Sequence, residues 1–231
     1  MAVGAEELGT FSALLDDAVK LAGRGIAARP QMASYARASM REPQVDNLFD
    51  KDLIEDTLTF SADPFIWTRP AEFRLFRTVK YTEETYPKFI PPGRRQFDEL
   101  NFYYQASTYF VFKGLAVADT FDIAYYQYFP KLVYFVPAAR PARYFADLAE
   151  WQYLDGNGVF VTTLGSDALD EAARALVTNW MIFDWNDLVL EGILAKQFKV
   201  QGDQRAPSHF ALFKSMIKDL LQAEVVGSID Q

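Results

Sequence analysis

NFYYQASTYFVF, residues 101–112, packs six aromatic rings into twelve positions. Rings at this density serve as a base-stacking platform, a sugar-binding face or a core. Read at the two-residue period of a strand, Phe110 and Phe112 face one way and Tyr109 and Val111 the other. In the preceding run, Phe102 and Tyr104 oppose Asn101 and Tyr103. Rings on both faces predict a hairpin turning near Ala106-Ser107-Thr108, covered on one side and partly on the other. An RNA-recognition strand would read K/R-G-F/Y-G/A-F-V-x-F/Y. Only Phe110-Val111-Phe112 matches it, and the basic residue and glycines are missing. The rings are therefore expected to fill a core, with Tyr103 and Tyr109 left over to meet another protein surface.

Working outward, β-branched and aromatic runs split by turn residues extend from Phe73 to Thr163. RLFRTVKY, ELNFYYQ, TYFVFKG, DTFDIAYYQYF, EWQYLDG and VFVTTLG read as strands. Asp155-Gly156-Asn157-Gly158 reads as a hairpin turn, and residues 87–96, with paired prolines and Gly93, as a loop. Helical periods flank this region. Leu8, Phe11, Leu14, Leu15, Ala18, Val19 and Ala22 form one stripe that Gly23 and Gly25 end. Pro30 suits the first turn of a second helix, which Pro43 stops or kinks. A third helix is expected over residues 50–62, with Asp50 as its N-cap and Asp63-Pro64 closing it. Ser166 caps a long helix running to about residue 200, with Asp167, Asp170 and Glu171 complementing its dipole. After QGDQRAP a last helix starts near Ser208 and places Phe210, Phe213, Ile217, Leu220 and Leu221 on one side.

These readings predict an α+β fold. N- and C-terminal helices (1–64 and 166–231) form one helical bundle, and an antiparallel β-rich insert (65–165) lies between them.

Composition narrows the function. Half of the 231 residues are hydrophobic, which suits a globular chain. Asp184, Asp187 and Glu191 interrupt the longest apolar stretch, so no membrane span is expected. The N-terminal residues carry no basic region ahead of an apolar run, so no secretory signal is read there. The absence of cysteine excludes disulfides, thiolate metal sites and a cysteine nucleophile. A net charge of −8 is poorly suited to gripping phosphates.

Chemical motifs are sparse. The sole histidine, His209, cannot build a structural zinc site alone, and it is expected at a helix start or an interface rather than in catalysis. No phosphate-binding loop occurs, and Gly23-Arg24-Gly25 lacks the remainder of a dinucleotide fingerprint. Asp184, Asp187 and Glu191 share one face of the expected long helix. They suit a hydrolytic pair or a divalent cation, but a solvated or lumen-facing stripe is the stronger reading. Trp180 and Trp185 read as core or interface anchors. Arg69, Arg74, Arg77 and Lys80 form one basic cluster and Arg94-Arg95 another. Pairing with acidic neighbours (Glu72, Glu83, Glu84, Asp98, Glu99) is favoured over phosphate contact. No catalytic residue, metal ligand or cofactor is expected.

Ile123-Ala124-Tyr125-Tyr126-Gln127-Tyr128-Phe129-Pro130-Lys131-Leu132, the Thr178-Asn179-Trp180 helix opening and the Asp187-Leu188 pair resemble one family. It is the head-to-tail adaptor of short-tailed phages, often called tail tubular protein A. The resemblance spans roughly residues 11–225 and rests on aromatic and turn positions. It implies a non-enzymatic virion protein, assembled in the bacterial cytoplasm, that forms a dodecameric ring at the head–tail interface. Its partners would be the portal protein and the tail nozzle or tube. DNA would pass through without sequence-specific binding, and no membrane would be involved. Twelve chains at −8 each carry −96, which repels DNA rather than retaining it. On this reading Asp184, Asp187 and Glu191 line the channel, while Tyr103, Tyr109, Arg94, Arg95, Phe210 and Phe213 meet other proteins. The alternatives are another phage neck or tail-completion protein, a carboxylate-dependent hydrolase, and a carbohydrate-binding module.

Overall fold

A computed structural model describes residues 10–81, 87–90, 102–113, 118, 120–132, 134, 142–145, 150–154, 160–162 and 177–227. The chain is α+β. It divides into two compact units, one formed by residues 1–47 and 129–231 and the other by Leu48–Tyr128.

The first unit draws helices from both of its sequence segments. Helix α1 (Phe11–Leu21) starts where the Thr10 hydroxyl accepts from the Ala13 amide at 3.2 Å, and it buries Phe11, Leu14, Leu15, Ala18 and Val19. Gly23 follows at φ 63°, a left-handed position that suits glycine. Helix α2 (Arg29–Asp46) carries Pro30 in its first turn, as expected. Pro43 does not stop it. The proline side chain is buried, and the Asn47 amide donates to the Pro43 carbonyl at 2.8 Å, capping the final turn.

The long helix expected from Ser166 differs from what is found. Its start, with Ser166, Asp167, Asp170 and Glu171, lies outside the described residues. Further on it is broken twice. Asn179 leaves helical geometry to cap α3 (Trp180–Asp184), its side-chain oxygen accepting from the Ile182 amide at 2.9 Å. Trp185 (φ −131°, ψ 42°) then separates α3 from α4 (Asn186–Gln201). Helix α4 ends at Gly202, whose φ of 68° again calls for glycine. Helix α5 (Ala206–Gly227) begins slightly before the expected Ser208.

Helix α4 is central. It packs against α1, α2, α3 and α5, and Leu188, Val189, Ile193, Leu194, Ala195 and Phe198 are all buried. A helix apolar over most of its circumference is one that neighbours enclose.

Among the described residues the second unit holds two sheets. One has the order β1 (Leu53–Thr59), β7 (Thr120–Gln127), β3 (Phe73–Lys80), and the other β2 (Phe65–Thr68), β6 (Tyr109–Lys113), β5 (Phe102–Ala106), β4 (Lys88–Phe89). All described pairings are antiparallel except β4 with β5, which makes one short parallel pair inside the expected 87–96 loop. Both sheets supply one core of Phe60, Val79, Phe110, Phe112, Phe121, Ile123 and Tyr125, with further rings around it.

Strand β1 replaces the third expected helix. After a 3-10 turn at Asp50–Asp52, the chain pairs with β7 along its whole length, from Leu53 opposite Tyr126 to Thr59 opposite Thr120. Ile54 and Leu58, four residues apart, both lie against the core. A spacing of four is shared by one helical face and one strand face, so the apolar period alone does not separate them. The expected boundaries move with this strand, because the compact sheet unit runs Leu48–Tyr128 instead of 65–165.

A third antiparallel sheet, β8 (Ala142–Phe145), β9 (Glu150–Leu154) and β10 (Phe160–Thr162), belongs to the first unit by sequence range. Strands β9 and β10 match the reading, although the turn at 155–158 lies outside the described residues.

Candidate functional site

The aromatic hairpin turns at Ser107-Thr108, with Ser107 at φ 56°. Tyr103 pairs with Phe112 and Ala106 with Tyr109. The Tyr103 ring stacks on Phe112 at 5.3 Å and meets Phe76 edge-on at 5.7 Å. Its burial raises the hydroxyl pKa above 10.0. Tyr103 is thus part of the core rather than a surplus ring, because strand pairing puts it on the Phe112 side. Tyr109, opposite Thr68 at the sheet end, is 37% exposed. The densest rings face inward, around Trp67, Phe73, Phe76 and Phe110.

The first basic cluster is divided among partners. Arg77 reaches Asp50 at 3.5 Å, Arg69 lies over Phe73 at 5.9 Å and Arg74 over Tyr128 at 5.5 Å. Asp50, distant in sequence, was not among the foreseen carboxylates. Arg94 and Arg95 lie outside the described residues.

The acidic trio does not occupy one helical face. Asp184 ends α3, Asp187 sits in the first turn of α4, and the Trp185 break separates them. Both are exposed. Glu191 turns instead towards α5, where its Oε2 meets His209 Nδ1 at 2.6 Å. Their side chains are only 18% and 24% exposed, and Phe198 packs against the imidazole at 5.0 Å. His209 is therefore an interhelical residue near the start of α5. Ser208 donates to the Arg205 carbonyl at 2.7 Å, which leaves no Ser–His pair. Among the described residues no group of three or more His, Asp or Glu is placed to hold a metal ion. None of their helices is long and apolar enough to cross a membrane. Trp180, an expected anchor, packs edge-on against Phe129 at 5.5 Å.

A second polar contact ties α2 to α4 and α5. Lys196 donates to Ser39 at 3.0 Å and Glu42 at 3.3 Å, while Lys214 donates to Glu42 at 2.6 Å. The Lys196 ammonium lies 4.7 Å from the centre of the Phe213 ring. Burial pulls the Lys196 pKa below 10.5 against the opposing pull of Glu42. Burial would raise Glu42, but the Lys214 hydrogen bond and the Lys196 charge outweigh it and hold the carboxyl below its ordinary 4.5.

Between α4 and α5 an open groove of about 520 Å³ is lined by the apolar Ala195, Ala206, Pro207, Phe210 and Ala211 together with Lys199 and Lys214. Phe210, an expected contact residue, is 36% exposed there. Phe213, expected beside it, is fully buried. The three–four spacing of Pro207, Phe210, Ala211 and Lys214 on α5 was readable, but which residues of α4 face them, Ala195 and Lys199, is not encoded in the period of either helix. At the other end of α4, Phe183 is 45% exposed beside Asp184 and near Asp187. This patch was missed because Phe183 had been absorbed into one continuous helix.

No protein-family model matches the chain, and no curated protein matches it.

Proposed function

We propose that this chain is a structural ring subunit, a head-to-tail adaptor that joins a phage portal to the tail nozzle or tube and extends the DNA channel. The observation that carries the reading is the pairing of chain ends. Helices α1 and α2 from the N-terminal side pack on α4 from the C-terminal side. The sequence between Leu48 and Tyr128 forms a compact sheet unit of its own. A helical bundle with a β insert is the layout that the resemblance implies. The charge of −8 per chain suits a conduit that does not hold DNA. A carboxylate hydrolase has less support, since Glu191 is engaged by His209 and Asp184 and Asp187 are split by a helix break.

The test is native mass measurement and negative-stain imaging of the protein with its cognate portal. A ring of about twelve copies seated on the portal is expected under this reading of a closed assembly. A chain that remains monomeric and never associates with the portal overturns it.

A further inference from the structure

We propose that the groove between α4 and α5 is a docking site for an acidic amphipathic helix of another protein, which sets apolar side chains against Phe210 and Ala211 and a carboxylate against Lys199. The proposal goes beyond the ring reading and does not depend on it. The groove is lined by apolar side chains and two lysines, and by no carboxylate. That lining is unlike the chain as a whole, in which 31 Asp and Glu outnumber 23 Lys and Arg. Carboxylates on the elements around it are already bonded, Glu42 to Lys214, Glu191 to His209 and Asp203 to Arg205. The occupant that complements the groove is therefore apolar at its centre and negative at its margin, and a basic one is opposed by like charge. The net charge of −8 does not prevent this, because charges beyond about 10 Å are screened at physiological salt.

The two lysines are not equivalent. Lys214 bonds Glu42 at 2.6 Å, and its ammonium lies 5.9 Å from the centre of the Phe210 ring. Lys199 is exposed, and its ammonium has no bonded partner among the described residues, so it is the charge open to an incoming carboxylate. Phe210 meets Phe213 edge-on at 6.4 Å and still leaves 36% of its surface exposed. Along α5 the lining runs from Ala206 to Lys214, about 12 Å of helix at 1.5 Å per residue. Two turns of a partner helix span that length and carry an i, i+4 apolar pair on one face. Ala195, Ala206 and Ala211 are small, which lets a helix backbone approach to the usual packing distance of about 8–10 Å.

The test uses the full chain without portal and two end-capped, fluorescein-labelled helical peptides. Both carry leucine at i, i+4 positions on one face. One has glutamate on the flanks of that face and the other has lysine. Fluorescence anisotropy follows binding to the wild-type protein, K199E and F210D, and far-UV circular dichroism confirms that both variants keep their helices. The glutamate peptide is expected to bind saturably and the lysine peptide not to bind. K199E should weaken the glutamate peptide roughly tenfold or more and admit the lysine peptide, because like charges at a contact are costly and swapped charges are not. F210D should weaken the glutamate peptide by a similar factor. Failure of the glutamate peptide to bind overturns the docking site. Equal binding of both peptides, or binding that K199E leaves unchanged, overturns the acidic occupant. Native mass of the chain alone supplies the remaining outcome. A dimer that F210D abolishes assigns the groove to a second copy and overturns the proposal, and the ring reading stands or falls separately with the portal experiment.

Discussion

Gly192 of α4 faces Ser39 of α2 with no room for a β carbon. A Cβ built there would lie 2.5 Å from Ser39 Oγ and 2.8 Å from the Phe213 ring. Neither neighbour yields easily, since the Ser39 hydroxyl donates to the Tyr35 carbonyl at 2.8 Å and Phe213 is fully buried. Gly192→Ala should therefore destabilise the helical unit by about 1–3 kcal/mol, the usual cost of overpacking, despite the better helix propensity of alanine. Chemical denaturation followed by far-UV circular dichroism measures it. An unchanged or raised midpoint would mean that α2 and α4 do not approach as closely as described.

That crossing shows where sequence reading reached and where it stopped. The α1 stripe and its Gly23 end were readable because the buried apolar positions and the glycine all act within one helix, whereas the Thr10 cap lay inside the stripe as read from Leu8. The β5–β6 hairpin was readable because its alternation and its turn are local. Strand β1 was not, because Ile54 and Leu58 suit a helix equally well and β7, some 65 positions on by the Thr57–Asp122 bond, decides the outcome. The Trp185 break was hidden for a related reason. Asn179 caps α3 through its own side chain, at the helix opening that the resemblance marks at Thr178-Asn179-Trp180, but the apolar run suggested continuity through Trp185. The groove and the Phe183 patch depend on which residues of different elements become neighbours, and one period along the chain does not encode that.

The Glu42 contact makes stability depend on acid pH. The folded pKa of Glu42 lies below its ordinary 4.5, so its contribution is present above that value and is lost as pH falls through the folded pKa. Glu42→Gln should cost up to about 1 kcal/mol at pH 7, a modest figure because Lys214 is half exposed and solvent screens the pair. The gap between the proteins should then close as pH drops below 4.5. Urea titrations of both at successive pH values test this. A gap that stays constant from neutral to acid pH would assign the loss to packing rather than charge.

Tyr103 separates a core role from a surface role. Its ring stacks on Phe112, and burial raises its hydroxyl pKa above 10.0. Tyr103→Ala should cost roughly 2–4 kcal/mol, somewhat under the value for a fully buried ring. Tyr103→Phe should be close to neutral at pH 7, because the hydroxyl is desolvated without a described hydrogen bond. The raised folded pKa means that stability is lost as pH climbs past 10.0, where the unfolded tyrosine ionises first. Tyr103→Phe should flatten that alkaline decline. If alanine there were harmless, the ring would not belong to the core.

The Glu191–His209 bond is expected to behave as a coupled pair between α4 and α5. His209→Ala leaves a carboxylate only 18% exposed without its described partner, a loss of about 1–3 kcal/mol. His209→Phe combined with Glu191→Leu removes both polar groups while keeping a ring against Phe198. That double variant should recover much of the loss, because replacing both partners by apolar groups avoids an unsatisfied one. The four proteins of the cycle, wild type, His209→Phe, Glu191→Leu and the double, should show non-additivity of about 0.5–3 kcal/mol. Denaturant midpoints at pH 7 supply the numbers. Strict additivity would show that the two side chains do not hold α4 and α5 together, and the floor of the neighbouring groove would then be set by Phe210 and Pro207 without help from this bond.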